Sequence, residues 1–368
     1  MLRGNAASMG FFILKTPIAM IKHYIITNRE TGTTPGKNFV KVNAKEYLRT
    51  DGCEEAQDNL RYGSVTFDPK KAKKLSDFSI NLYPDLSVEE FEKMHETGKT
   101  PKGKELGSHK VFSDLYEKGK NSPKDNEHTL VFVHGFKSDL EVAMKTLAQL
   151  HSRFVLNPDC PVQNIVMFTW PAMCKILRYR DDARDAVLSG YSLARSFASF
   201  RDFLIERFKK DKDKDFCEQK IHLMCHSMGN RVLESMVTHL QSMGITINSV
   251  FGEILLVAAD IDYDALERPK PLYKVIDLGE RVHVYYHEGD KALGVSESTK
   301  NAFNRLGRWG AKNTIGLPDD VFQSDVTDIR DDDGVMDGVV HHWYYYNSKA
   351  VAEDIAVVLG GGSSVFTM

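Results

Sequence analysis

The sequence predicts an α/β protein whose mainly parallel sheet carries helices on both faces. Three observations lead there. Continuous apolar runs such as "TLVFVHGF" (Thr129–Phe136) lack polar–apolar alternation, so they read as strands buried on both faces. Between them lie stretches with apolar residues at helical spacing. From residue 127 onward the two kinds of segment alternate, as in βαβ units with right-handed crossovers.

The chain has 368 residues, enough for one large α/β domain with additions or for two domains. A hydrophobic content of 42% and a net charge of −3 fit a soluble globular chain and give no electrostatic reason to expect nucleic-acid binding. The five cysteines are scattered and form no CxxC pair, so neither a zinc ribbon nor a disulfide framework is expected. A reduced, cytoplasmic setting follows.

The segment 1–21 stands apart. "MGFFILKTPIAMI" (Met9–Ile21) is apolar but broken by Lys15 and Pro17, and it is shorter than the about 20 residues a membrane helix needs. As a secretory signal, the minority alternative, it has only Arg3 in front and no small-x-small cleavage site. No transmembrane segment is expected elsewhere.

Residues 22–126 read as a β-rich extension with a charged linker. "KHYIIT", "NFVKV", "GSVTFD" and "FSINLY" are strand-like, and "TGTTPGKN" is a turn. Charge dominates from Ser87 to Asn126, with one helix expected around Val111–Lys118. Residues 127–360 read as the core. After "TLVFVHGF" come a helix in "DLEVAMKTLAQLHSRF", a buried strand in "NIVMFTWP" and a helix in "GYSLARSFASFRDFLIERFKK". "KIHLMCHS" is the next strand and "RVLESMVTHLQSM" its helix; "GEILLVAAD" and "RVHVYYHEGD" are further strands, and "NSKAVAEDIAVVL" is the last helix.

In an open parallel sheet, reactive groups collect beyond the carboxyl ends of the strands. Here those ends carry His134-Gly135, Ser227, Asp260 with Asp262, and His287-Glu288 with Asp290; His341 and His342 follow. The chain order Ser, Asp, His is that of a hydrolase with a nucleophile elbow. That elbow needs small residues two positions either side of the serine. Gly229 meets the need on one side, and Cys225 stands in the usual glycine position on the other. The Met228 N–H, opening the next helix, is one expected oxyanion donor, and Phe136 in the His134-Gly135-Phe136 turn carries the other. A serine that merely caps a helix is the ordinary alternative for an isolated S-x-G. The whole set of strand ends favours a serine hydrolase. From the residues alone, Asp260 and Asp290 compete as acid, and His341 and His342 as base. His134 is expected to brace the oxyanion turn and His226 to pack against the elbow.

The stretches "IITNRE", "VFVHGF", "FTWPA", "CHSMGNRVL", "LLVAADID", "YYHEGDKALGVS" and "HHWYYYN" resemble the bacterial α/β-hydrolase family DUF900, across about Lys22 to Val358. The resemblance implies an α/β-hydrolase fold with an N-terminal extension and hydrolysis of carboxylic esters without a cofactor. It also implies Ser227 as nucleophile, Asp290 as acid and His342 as base. His341 then occupies a position where the family usually has glycine.

"AMCKILRYRDDARDAVLSGYSLAR" could form a cap over the site, with Met173, Ile176, Leu177 and Tyr191 as acyl-pocket candidates. Core packing is the plainer alternative for each. No His/Cys/Asp cluster has zinc spacing, and "DVTDIRDDDGVMDG" lacks the register of a calcium loop, so no metal is expected. The expected partner is a small-molecule ester. The same machinery could serve amide or thioester hydrolysis or acyl transfer, and a non-catalytic hydrolase-fold binding protein is the rival from another class.

Overall fold

The computed structural model describes residues 20–52, 60–84, 88–97, 102, 105–120, 127–173, 178–210, 219–245, 249–298, 303–331 and 341–367. Most of the Met9–Ile21 stretch lies outside them, as do Ile176 and Leu177.

A nine-stranded sheet organises the chain. Its central strands are the apolar runs: β7 (His128–Val133), β8 (Val162–Thr169), β9 (Ile221–His226), β10 (Phe251–Val257) and β11 (Gly279–Tyr286). All pair in parallel, in the order β11-β10-β9-β7-β8. Residues of the 22–126 extension complete the same sheet. β1 (Ile21–Thr27) lies parallel to β8, while β5 (Arg61–Phe67) and β6 (Phe78–Leu82) follow it as antiparallel edge strands. Three short strands, β2 (Thr31–Gly32), β3 (Phe39–Lys41) and β4 (Tyr47–Arg49), form a separate small sheet. At the opposite edge lies β12 (Val321–Asp325), a parallel strand that ends where the acidic sequence "DVTDIRDDDGVMDG" begins.

Helices cover both faces, as βαβ crossovers require. One face carries α2 (Gly107–Lys120), α4 (Tyr179–Lys210) and α5 (Gly229–Ser242) over a core that includes Phe112, Leu193, Phe197, Leu223 and Val232. On the other, α3 (Leu140–Leu150) and α9 (Lys349–Leu359) pack over Phe132, Leu147, Met224, Leu255 and Ile355. Each such side chain, fully buried, is worth about 1.5–3 kcal/mol. The helix expected at Val111–Lys118 is α2, and α1 (Val88–Thr97) adds a second in the stretch read as linker.

The stretch read as a cap is arranged differently. From Tyr179 onward it is the start of α4, which packs lengthwise on α5. The helical period that marks Gly190–Lys210 simply begins eleven residues earlier, in a run whose charges obscure it.

Candidate active site

The connection from β7 leads to β8 on one side, and β9 then pairs on the other side of β7. This is the reversal of strand order beside which open α/β sheets hold their ligands. Ser227, immediately after β9, and the His134–Ser138 turn, after β7, stand at that point.

Ser227 adopts φ +52°. A left-handed backbone costs a residue other than glycine about 1–2 kcal/mol, so neighbouring bonds must hold it. They do. The Ser227 N–H donates to the Val257 carbonyl (3.0 Å), and its own carbonyl accepts from the Asp260 and Asn230 amides (both 3.1 Å). The Asn230 side chain adds bonds to the Cys225 and Ser227 carbonyls at 2.9 and 3.1 Å. Asn230 was not singled out in the sequence, although its place three residues after the serine is that of a local brace.

Two glycines permit the turn. A Cβ on Gly229 would sit 2.5 Å from the Val133 carbonyl oxygen, and one on Gly135 would sit 2.6 Å from Ser227 Cβ and 3.2 Å from its Oγ. The His134–Ser138 turn therefore lies directly against the serine. Cys225 is buried in the sheet between Val133 and Leu256, and burial drives its thiol pKa well up, so it is an inert packing residue. Among the described residues, neither the Phe136 nor the Met228 N–H has a hydrogen-bond partner.

Asp290 follows β11 and caps the short helix α6 (Lys291–Ser296). Its Oδ1 accepts from the Leu293 N–H at 3.0 Å. Its Oδ2 lies 2.7 Å from His342 Nδ1. A carboxylate only accepts, so Nδ1 carries the proton and Nε2 is left as the acceptor. Burial pushes the Asp290 carboxyl up, and His342 opposes that shift. The His342 carbonyl accepts from His226 Nε2 at 2.9 Å, tying this segment to the residue before the serine. His226 is thus a neutral donor whose pKa burial holds well below the usual range.

The two rivals lie elsewhere in the network. Asp260 accepts from the Tyr179 hydroxyl and from Ser296 Oγ (2.8 Å), with Arg305 Nε at 3.6 Å. All four side chains are buried, and together they tie the start of α4 to α6. His341 has φ +60° and stacks on His287, ring centroids 4.2 Å apart and planes 9° apart.

The pocket candidates separate. Met173 is half-buried; its N–H donates to Asp182 Oδ1 at 2.8 Å, and it packs against Gly52. Tyr191 is exposed on α4 and meets His239 in the last turn of α5, at the end of that helix remote from Ser227. The structure does not bring it to the serine. Ile176 and Leu177 lie outside the described residues. Tyr179, a side chain the sequence left unmarked, packs edge-on against Phe136 with ring centroids 5.5 Å apart. Among the described residues, no group of three or more His, Cys, Asp or Glu is placed to hold a metal ion, and no helix is long and apolar enough to cross a membrane.

The sheet order and the helices on its two faces define an α/β hydrolase. Over residues 110–359 the chain matches the family described as α/β hydrolase of unknown function (DUF900), and it belongs to that family. No curated protein matches it.

Proposed function

We propose that this α/β hydrolase cleaves carboxylic esters through an acyl-enzyme on Ser227. The observation that carries the reading is the convergence of three strand ends: left-handed Ser227 after β9, the unpartnered amides beside it, and the Asp290–His342 pair at 2.7 Å after β11. Ser227 Oγ attacks the ester carbonyl as His342 Nε2 takes its proton. The carbonyl electron pair moves onto oxygen, which the Phe136 and Met228 amides hold. Collapse of that adduct breaks the C–O bond, and His342 returns the proton to the departing alkoxide. Water repeats the sequence to release the acid and restore the serine. Asp290 keeps the imidazole in the tautomer this requires. A reduced, cytoplasmic setting belongs to the same reading and rests on five scattered cysteines with no CxxC pair.

Stopped-flow hydrolysis of p-nitrophenyl acetate tests the proposal. A burst of one nitrophenol per enzyme, followed by slower turnover, is expected from the wild type and neither phase from Ser227→Ala. Equal turnover by a folded Ser227→Ala protein would overturn it.

A further inference from the structure

Arg29 stands two residues past the end of β1, eighty-one positions before the region that matches the family begins at residue 110. It is fully buried. Its guanidinium is spent on fixed polar groups. Nε donates to Thr169 Oγ1 at 2.9 Å, one terminal nitrogen to the Ser138 carbonyl at 2.9 Å, and the other to the Thr50 and Asp51 carbonyls at 3.2 and 3.1 Å.

The bond to Thr169 continues inward. Thr169 Oγ1 lies 3.1 Å from His134 Nε2, and that same ring nitrogen faces the Trp170 N–H at 3.1 Å. The Trp170 amide can only donate, so Nε2 accepts, and Thr169 passes its own proton toward the ring. Nδ1 must then carry the imidazole proton, and it donates to the Gly135 carbonyl at 3.0 Å. Burial and Arg29 hold His134 down to about 3, which keeps the ring neutral, and its hydrogen bonds fix the tautomer. Trp170 stacks on the ring, and its indole N–H holds the His134 carbonyl at 2.8 Å. Carbonyls on both sides of Phe136 are therefore fixed: Gly135 through the Thr169–His134 relay and Ser138 directly by Arg29.

We propose that Arg29 is a positioning residue for the oxyanion hole: one buried guanidinium spans both ends of the His134–Ser138 turn and so aims the Phe136 N–H at the carbonyl oxygen. The inference rests on the esterase reading. It makes the segment that follows the N-terminal strand β1 part of the reacting site, since among the described residues it is Arg29, outside 110–359, that donates to the Ser138 carbonyl. Lysine cannot replace it, because an ammonium is a point donor and cannot reach Thr169, Ser138 and the Thr50–Asp51 carbonyls together.

The test uses the full chain in four forms: wild type, Arg29→Lys, Thr169→Val and Arg281→Lys. The last alters a buried-edge guanidinium paired with Glu253 on β10, away from the turn. Each is melted, then assayed below its transition on p-nitrophenyl acetate and on the matching thionoester, whose sulfur uses an oxyanion hole poorly. Losing one oxyanion donor costs about 10²–10³ in kcat. Arg29→Lys is expected to lose at least about tenfold in kcat at little-changed KM, and its preference for the oxygen ester should shrink in step. Thr169→Val, which keeps the charge and removes the relay, should move the same way and carries the test if Arg29→Lys does not fold. Arg281→Lys should keep both kcat and the oxygen-to-sulfur preference. A folded Arg29→Lys, or in its place a folded Thr169→Val, with wild-type kcat and preference would overturn the assignment. A wild type that a fluorophosphonate does not label at Ser227 would instead sink the esterase reading itself.

Discussion

His342 and Asp290, fifty-two residues apart in the chain, meet through a 2.7 Å bond from Nδ1 to Oδ2, while the other Asp290 oxygen caps α6. One carboxylate thus fixes both a ring and a helix start. Asp260 sits one strand away with Tyr179, Ser296 and Arg305 around it. The two acids should behave oppositely on substitution. Asp290→Asn and His342→Ala are each expected to lower kcat on a short-chain ester by about 10⁴, since the wrong tautomer or no base then faces Ser227. Asp260→Asn weakens the buried bonds from Tyr179 and Ser296 while Arg305 keeps its 2.7 Å pair with Asp262, so it should cost about 1–3 kcal/mol with kcat per folded molecule largely kept. Melting followed by kcat distinguishes them. A folded, inactive Asp260→Asn beside a fully active Asp290→Asn would move the acid to β10.

Gly135→Ala is expected to reduce kcat by about 10² or more. Its Cβ would press on Ser227 Cβ and on the His226 carbonyl oxygen at 2.6 and 2.9 Å, neither of them the end of a flexible side chain. The turn must retreat, and a displacement of about 1 Å at reacting groups has that order of cost. Full activity in this variant would place the turn farther from the serine than the structure has it.

His341 combines a left-handed backbone with a close stack on His287. His341→Ala keeps the backbone cost and loses the stack, so a destabilisation of about 1–2 kcal/mol is expected. His341→Gly loses the same stack but relieves the backbone, and should fall within about 1 kcal/mol of the wild type. Thermal melts of the two variants check the order. An Ala variant as stable as the Gly variant would mean that the left-handed conformation carries no strain.

Acid should unfold the protein early. Burial is the main cause that pushes His23, His134 and His222 down to about 3 and His287 to about 4. Unfolded, each titrates near 6.5. Between those values the unfolded chain binds more protons, so stability falls as pH drops below about 6.5. At pH 4.5 the four together oppose folding by on the order of 10 kcal/mol, comparable with the whole stability of a typical domain. Asp182, pushed up to about 7 by burial, works the other way, as do Glu234 and Asp290, which burial also raises; acid favours the folded forms of these three, and they offset part of the loss. Far-UV circular dichroism is expected to show cooperative loss of structure between about pH 6 and 4. An intact spectrum at pH 4 would contradict the buried, neutral state of these rings.

The elbow was legible because it is local. A buried strand, Ser227, Gly229 and a helix follow one another within a few residues, and that turn needs no distant partner to be recognised. The pairing of Asp290 with His342 could be narrowed only to four residues, because which strand end faces which loop is a property of the sheet. Other parts were hidden for the same reason. Nothing within "KHYIIT" says that it will lie beside β8, so Arg29 read as part of an extension although its partners Ser138 and Thr169 are 109 and 140 residues away. Tyr191 was placed near the site by assuming a cap. A continuous helix from Tyr179 turns that position toward solvent and His239.

The central claim is that Ser227 is a nucleophile activated at its elbow. Reaction of the native protein with a fluorophosphonate, followed by intact mass and peptide mapping, tests it most directly. One phosphonyl group per chain is expected, on Ser227, with esterase activity lost in proportion and with no adduct on folded Ser227→Ala or His342→Ala. Cys225, buried with its thiol driven up, should stay unmodified by an alkylating agent under the same conditions. A wild type that remains unlabelled at Ser227 while it hydrolyses ester would contradict the account.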